Sequence, residues 1–301
     1  MNKKLTIKRV VIFVFFAYLL TTVWDVIFNN ILSGNRYYYD DPSSVNPFNN
    51  FAGLSMFGPA AAVFITRALT NEGMEHSMMK FNIKNNLKYY IMPFWVLFIY
   101  ALLNALITPL MAGVSYSLPD KMPEITLSMI NVAATCPLLI GLYFGEEYGW
   151  RGYLYPKLEE LMGTGKALIV SGIIWGVWHT SVLVNGHNFG RDIPFFPISN
   201  ILLMCLMCIF IAPFFTYIAK KTDSVWPAAI AHAFFNNFAG NTGSLFMSAE
   251  AVKELPEHKA FINIAFFAGL AIMGTVFFII LVKESRESSG QSKETAPEKA
   301  A

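Results

Sequence analysis

Charged residues are scarce in this sequence, and the scarcity indicates its class. Only 14% of its 301 residues are Asp, Glu, Lys or Arg, whereas 55% are hydrophobic. Soluble globular domains carry about 25% charged residues, so a soluble domain of this length is excluded. The composition predicts an all-α integral membrane protein, because a helix satisfies its own backbone polar groups inside a bilayer.

Cysteine is also rare, and its placement argues against a disulfide framework. Cys136, Cys205 and Cys208 all lie in apolar runs, where they are expected to pack as small apolar side chains. Cys205 and Cys208 have the C-x-x-C spacing of some metal and redox sites, but the segment LLMCLMCIFI offers them no polar support.

Two signatures of intramembrane proteases are absent. No histidine is followed by glutamate, which excludes the HExxH motif of site-2-type zinc proteases. Ser171, in VSGII, lacks the first glycine of the GxSx motif that a rhomboid-type serine protease needs. The small residues around it suit close helix packing instead.

The apolar residues fall into eight stretches that could each cross a bilayer, which takes about 20 helical residues. These predicted spans cover residues 9–32, 51–70, 89–113, 127–155, 167–185, 197–219, 225–246 and 261–282. They form one helical bundle over residues 1–282, with the core motifs in 127–246. The polar tail over residues 283–301 is predicted to be disordered in the cytoplasm.

Lysine and arginine are unevenly distributed between the loops, and this bias predicts the orientation. Because cytoplasmic loops are enriched in these residues, both termini are expected inside the cell. The Asn- and Lys-containing loops favour a bacterial plasma membrane. The outer loops would then hold only Arg36, Lys121, Arg191, Lys253 and Lys259.

Three ionisable side chains on separate predicted helices reach a similar depth. Glu146 lies eleven residues before Lys157, roughly 16 Å into the membrane region. His179 and His232 lie roughly 20 Å and roughly 16 Å along helices that enter from the same side. Ionisable groups at this depth are costly, so they usually face the bundle interior or a wet cavity.

Glu147 and Arg151 follow Glu146 in the segment GEEYGWRG. Arg151 comes four residues after Glu147, so the two share a helix face, whereas Glu146 points about 100° away from Glu147. We therefore expect Glu147 and Arg151 to pair as a supporting bridge, which leaves Glu146 available for chemistry. The alternative is one buried ion-pair network of all three residues that locks the helices together.

The two deep histidines each have a partner one turn away. In WGVWHTS, Trp175 and His179 share a face, and the indole is expected to wall the imidazole. In AHAFFNN, His232 and Asn236 are also four residues apart. The remaining histidines fall in predicted loops and are expected to be solvated; they are His76, His187 and His258.

Such a set suits hydrolysis of an amide bond. Glu146 and a nearby imidazole can take a proton from water, and an asparagine amide can donate to the oxyanion. Glu146, His179 and His232 could instead hold a divalent metal such as zinc, which lowers the pKa of bound water. The residues leave both routes open, and buried Glu and His also suit a proton relay.

Three motifs resemble signatures of the CPBP intramembrane proteases, which include type II CAAX prenyl endopeptidases and bacteriocin-processing or self-immunity proteins. EEYGWR is similar to EExxxR, WGVWH to F/WxxxH and HAFFN to HxxxN/D. The resemblance spans residues 144–238, and FGPAAAVFITRAL near residue 57 resembles an early helix of the family. Each motif alone is weak, but all three in order on membrane helices form a strong signal.

The resemblance implies a division of roles. Glu146 and His179 would activate water, and His232 and Asn236 would bind or stabilise the oxyanion. The family resemblance implies either a metalloprotease or glutamate chemistry without a metal. The supporting residues would be Glu147, Arg151 and Trp175.

The expected substrate is a peptide or a membrane-protein segment that arrives from the cytoplasm or from the bilayer, in contact with membrane lipids. No nucleic-acid partner is expected. A prenylated CAAX tail is the eukaryotic precedent in the family, but no residue pattern here indicates a prenyl pocket. Two alternatives stay open: a non-catalytic immunity or scaffold protein that binds peptides, and a proton-coupled transporter.

Overall fold

The structure is a computed structural model that describes residues 2–27, 53–115, 139–242 and 255–294, with a few isolated positions between these ranges. Each predicted span overlaps a helix, in chain order, and the predicted all-α membrane bundle is confirmed. In these ranges the helices of eight or more residues are α1 (Lys3–Ile27), α2 (Gly58–Leu69, after a 3₁₀ turn at Gly53–Phe57), α3 (Leu87–Ala112), α4 (139–162), α5 (Thr164–Trp178), α6 (Ile198–Thr222), α7 (Trp226–Asn237) and α8 (Leu255–Glu294).

Among the described residues, four helices are long and apolar enough to cross a membrane unaided. They are α1, α3, α6 and the part of α8 over Asn263–Ser288. Helix α7 has 12 residues, and a helix of that length extends only about 18 Å against a hydrocarbon core of about 30 Å. The chain is an integral membrane protein, and the number of eight spans stays a prediction.

Helix α4 continues past residue 155, where the predicted span stops. It is α-helical over 139–149, forms a π-helical turn over Trp150–Leu154, and is α-helical again over Tyr155–Met162. Pro156 stands in the first turn of that last segment, the helical position that tolerates proline best. The helix therefore runs seven residues beyond the predicted span and ends at Met162.

Helices α5 and α6 pack closely because glycines of α5 face the backbone of α6. A Cβ atom at Gly172 would lie 2.7 Å from the Cα of Ile209, and one at Gly176 would lie 2.4 Å from the Cα of Cys205. Only glycine fits at such distances, and small residues four apart allow this approach in membrane bundles. The contact places the end of α5, which carries Trp175, against α6.

Helix α8 is longer than predicted at both ends. His258 therefore lies in a helix rather than a loop, and residues 283–294 are helical rather than disordered. An ion pair of 2.7 Å between Lys221 Nζ and Glu284 Oε1 joins this polar part of α8 to α6. Residues 295–301 of the predicted tail lie outside the described residues.

Charged side chains gather where α1 begins and where α4 and α6 end. Glu72, in the loop after α2, pairs with Arg9 at 3.2 Å and with Lys157 at 2.6 Å. Lys220 Nζ donates to both carboxylate oxygens of Glu159, at 2.7 Å and 2.9 Å. These five residues are termed the rim network. Its basic members all belong to segments that the charge bias assigns to the cytoplasm.

Candidate active site

The site forms around the π-helical turn of α4. A π turn widens the helix locally and often occurs at functional sites. Arg151 lies in this turn and is buried, and Glu147, one turn earlier, is fully buried. Nη1 of Arg151 donates to Oε1 of Glu147 at 3.0 Å. The two residues thus make the contact that their four-residue spacing predicts.

His232 of α7 shares the same carboxylate oxygen. Its Nδ1 lies 2.8 Å from Oε1 of Glu147, and its side chain is buried. Oε2 of Glu147 and Nη2 of Arg151 are buried and have no hydrogen-bonding partner among the described residues. Glu147 therefore joins α4 to α7. Helix spacing predicts only the contact with Arg151, because it applies within a single helix.

Glu146 faces a different helix. It is buried, and its Oε2 accepts a hydrogen bond of 3.0 Å from Nε1 of Trp175 on α5. Adjacent helical residues point about 100° apart, so Glu146 and Glu147 reach different partners. In the described part of the chain, Arg151 donates to Glu147 and no hydrogen bond joins it to Glu146.

His179 lies where α5 stops. The helix ends at Trp178, and His179 connects it to a short helical segment, Thr180–Leu183. Nδ1 of the partly buried His179 lies 2.9 Å from the carbonyl oxygen of Trp175. Because a carbonyl can only accept, Nδ1 carries the proton, and neutral His179 keeps Nε2 as an acceptor.

Trp175 contacts residues of all three motifs. Its ring centroid lies 5.4 Å from that of His232 and 6.0 Å from that of His179. The guanidinium carbon of Arg151 lies 4.0 Å from the indole centroid, a cation–π geometry. With the hydrogen bond to Glu146, this one side chain connects α4, α5 and α7. The Trp175 cluster is defined as Glu146, Glu147, Arg151, Trp175, His179 and His232.

Asn236 lies one turn beyond His232 on α7, and its side chain is exposed. The neighbouring Asn237 donates from Nδ2 to the hydroxyl of Tyr143 at 3.0 Å. The ring of Tyr143 lies 4.9 Å from that of His232. The sequence-based reasoning missed Tyr143, although it precedes Glu147 by one helical turn and therefore lies on the same face.

The sequence allows Glu146, His179 and His232 to be ligands of one metal ion. Their arrangement in the structure shows whether they could coordinate it together. A catalytic zinc site brings three protein ligands within about 2.0–2.2 Å of one ion. Within the described ranges, no group of three or more His, Cys, Asp and Glu side chains is arranged to hold a metal ion. In this arrangement the three side chains do not fit such a site.

Two of the histidines that the sequence predicts to be solvated differ in their surroundings. His76 is exposed in the loop after α2, as predicted. His187 is partly buried in the turn before α6, and burial lowers its pKa to about 4, so the prediction of a solvated side chain is wrong. Cys205 and Cys208 are free thiols, and Cys136 lies outside the described residues.

Two comparisons with known proteins agree. Residues 126–238 match the family model of type II CAAX prenyl endopeptidase Rce1-like proteins. The CAAX prenyl protease 2 of Methanococcus maripaludis is 36% identical over 56 residues, a match that covers 19% of this chain and 20% of that protein. The resemblance predicted from the three motifs is confirmed. The Trp175 cluster lies wholly within the matched range, although the chain matches only about a fifth of this relative's length.

Proposed function

We propose that this protein is an intramembrane endopeptidase that hydrolyses a peptide bond in a membrane-associated protein or peptide. The observation that supports this function is the convergence of Glu146, His179 and His232 on Trp175. A buried carboxylate beside two imidazoles is a set that general acid–base hydrolysis uses. The similarity to CAAX-type proteases over residues 126–238 supports the same class of reaction.

In this proposal, Glu146 and His179 activate the water. Nδ1 of His179 donates to the Trp175 carbonyl, so Nε2 can accept a hydrogen bond from the water and orient it. The indole N–H of Trp175 binds Oε2 of Glu146, which directs the proton to Oε1. As the water oxygen attacks the carbonyl carbon of the peptide bond, its proton passes to Glu146.

His232 and Asn236 then stabilise the oxyanion. Glu147 holds Nδ1 of His232, and donation from Nε2 to the oxyanion would require the protonated form of the ring. The amide of Asn236, one turn further along α7, adds a second donor. When the intermediate collapses, the C–N bond breaks, and Glu146 returns its proton to the leaving amine.

The proposed substrate is a peptide, or the end of a membrane protein, that reaches the site from the cytoplasm or from the bilayer. Because the similar protein of Methanococcus maripaludis is a CAAX prenyl protease, a CAAX peptide is the first probe. Paired prenylated and unprenylated peptides of one sequence would show whether the lipid contributes to recognition.

Glu146→Gln tests the reaction directly. The amide keeps the shape of the side chain but cannot take the proton, so kcat is expected to fall by about 10²–10⁴-fold while peptide binding is retained. The measurement is cleavage of quenched peptides by the detergent-solubilised protein. Glu75→Gln, an exposed carboxylate in the loop after α2, is the matched control and should keep full activity.

Full activity in Glu146→Gln would contradict the proposal. Peptide binding without cleavage in every form of the protein would favour the scaffold alternative, and proton flux lost in Glu146→Gln would favour the transporter. A strong chelator added to the wild type separates the two hydrolytic routes, because a metal-dependent enzyme loses activity and regains it with added zinc.

The proposed orientation places the rim network in the cytoplasm. His76, in the loop after α2, and Asp192, in the turn before α6, are both exposed and lie on opposite sides in this orientation. In a form whose native cysteines are replaced, Asp192→Cys should react with an impermeant maleimide added to intact cells. His76→Cys should react only after lysis, and the reverse pattern would contradict the orientation.

A further inference from the structure

Helix α1 carries a buried carboxylate in an apolar span. Asp25 lies near the C-terminal end of α1, and only 5% of it is exposed. An ionisable group inside a membrane-spanning helix is costly, so it is usually paired and usually has a function. The proposed reaction does not use Asp25.

Asp25 and Thr21, one turn apart on α1, hold two residues that flank His179. Oγ of Ser181 donates to Oδ2 of Asp25 at 2.5 Å. Nε1 of Trp178 donates to Oγ1 of Thr21 at 2.9 Å. Because Trp178 directly precedes His179 and Ser181 follows it closely, α1 holds this turn on both sides.

The backbone at His179 needs such support because it does not belong to a continuous helix. Helix α5 ends at Trp178, and the next helical segment, Thr180–Leu183, has only 4 residues. The N–H of His179 bonds to the carbonyl oxygen of Gly176 at 3.2 Å, the tighter pattern of a helix end. The direction of the imidazole therefore depends on the residues around the turn.

Trp178 also packs directly against the imidazole of His179. Its ring centroid lies 4.7 Å from that of His179, with the planes at 80°. Thr21, the acceptor of the Trp178 hydrogen bond, is itself held in place, because its hydroxyl donates to the carbonyl oxygen of Ser55 at 3.1 Å. This approach depends on Gly58, where a Cβ atom would lie 2.3 Å from Oγ1 of Thr21.

The direction of the Ser181 hydroxyl is not explained by contacts within its own helical segment. A serine or threonine hydroxyl in a helix commonly bonds a carbonyl three or four residues earlier. Thr180 does so, with the carbonyl oxygen of Val177 at 2.6 Å. Ser181 instead reaches across to Asp25 on α1.

We propose that Asp25 is a positioning residue for His179, acting through Ser181, with the Thr21–Trp178 hydrogen bond as the second point of the same clamp. The proposal rests on the proposed function, in which His179 orients the water. Asp25 does not touch the substrate. It fixes the turn that carries the imidazole.

The test uses the purified full-length protein and two readouts. One is kcat and KM for peptide cleavage, and the other is the rate at which diethyl pyrocarbonate modifies His179, followed by mass spectrometry of peptides. Asp25→Leu removes the acceptor, so His179 should be modified several-fold faster. The kcat should fall by between about tenfold and about a hundredfold, with KM little changed.

Two further variants and a control identify the cause. Ser181→Ala removes the donor and should reproduce the effects of Asp25→Leu, whereas Asp25→Asn keeps an acceptor oxygen and should restore both readouts towards wild type. Thr6→Val is the control, because Thr6 is buried on the same helix and its hydroxyl contacts Glu160 at 3.4 Å. Thr6 lies about 28 Å from Asp25 along α1, so neither readout should change.

Wild-type values of both readouts in Asp25→Leu and in Ser181→Ala would overturn the proposal. So would an Asp25→Asn protein that behaves like Asp25→Leu, because the hydrogen bond would then not be the cause. If no form of the protein cleaves a peptide, the proposed reaction fails. The modification rates would still decide whether Asp25 holds the turn at His179.

Discussion

Two groups of ion pairs in this molecule use the same chemistry in different surroundings. In the Trp175 cluster, the side chains of Glu147 and Arg151 are 0% and 3% exposed and lie 3.0 Å apart. In the rim network, Glu72 and Lys157 are 15% and 13% exposed and lie 2.6 Å apart, and Lys220 is 39% exposed. The distances are similar, so the two groups differ mainly in their access to water.

This difference in burial points to different roles. Desolvation of a buried ion pair can cost more than the attraction returns, so burial of Glu147 and Arg151 is not explained by stability alone. The hydrogen bond between Glu147 and His232 gives a second reason, because it fixes a ring at the proposed site. The rim network instead joins the ends of helices through contacts that water and salt weaken.

Arg151→Ala should have the largest effect on stability. The change leaves the Glu147 carboxylate buried without its cation, which typically costs about 3–5 kcal/mol. The free energy of unfolding of the detergent-solubilised protein is the measurement. Lys220→Ala, in the rim network, is the comparison variant and should cost about 0–1 kcal/mol.

Activity measured beside stability tests the supporting role of Arg151. If Arg151→Ala kept the yield and stability of the wild type but lost activity, Arg151 would act in the reaction itself. Equal losses of stability in Arg151→Ala and Lys220→Ala would show that burial does not distinguish the two groups of ion pairs.

Most of the Trp175 cluster could be predicted from the sequence, because part of it follows helix periodicity. Arg151 comes four residues after Glu147, and His179 comes four after Trp175, and the structure shows contacts within both pairs. Similar depths on three predicted helices placed Glu146 in the same group. These rules work because each refers to the geometry of a single helix.

Contacts between helices could not be predicted in this way, because one sequence does not give the rotation of a helix against its neighbour. No spacing rule predicts that His232 contacts Glu147 or that Trp175 donates to Glu146. The π-helical turn also changes the direction of the side chains that follow it. No sequence pattern indicates a role for Asp25, because its partner Ser181 lies in a distant part of the chain.

Helix ends were the least predictable part of the fold. Apolar runs indicate where a chain enters a bilayer, but polar residues can continue a helix beyond it when they find partners. Glu159 is held by Lys220 in the last turns of α4, and Glu284 is held by Lys221 in the polar part of α8. Both helices therefore extend past their predicted boundaries.

The smallest of the expected effects is the pH dependence of stability that Glu72 of the rim network causes. Burial raises the pKa of this carboxyl, but hydrogen bonds from Lys157 and Tyr153 and the charges of Lys157 and Arg9 outweigh it and lower the pKa from 4.5. The folded pKa is thus below the unfolded one. Glu72 contributes stability above the unfolded value, and the contribution is lost as the pH falls through the folded pKa.

The measurement compares the unfolding of the wild type and Glu72→Gln from neutral to acidic pH, with Glu75→Gln, in the same loop, as the control. Glu72→Gln should be less stable by up to about 1 kcal/mol at neutral pH, and this difference should shrink in acid and in high salt. A difference that persisted in both would mean that Glu72 acts through the shape of its hydrogen bonds. The charge of Glu72 would then contribute little to the stability of the rim network. The contrast between the two groups of ion pairs would be supported only by the comparison of Arg151→Ala with Lys220→Ala.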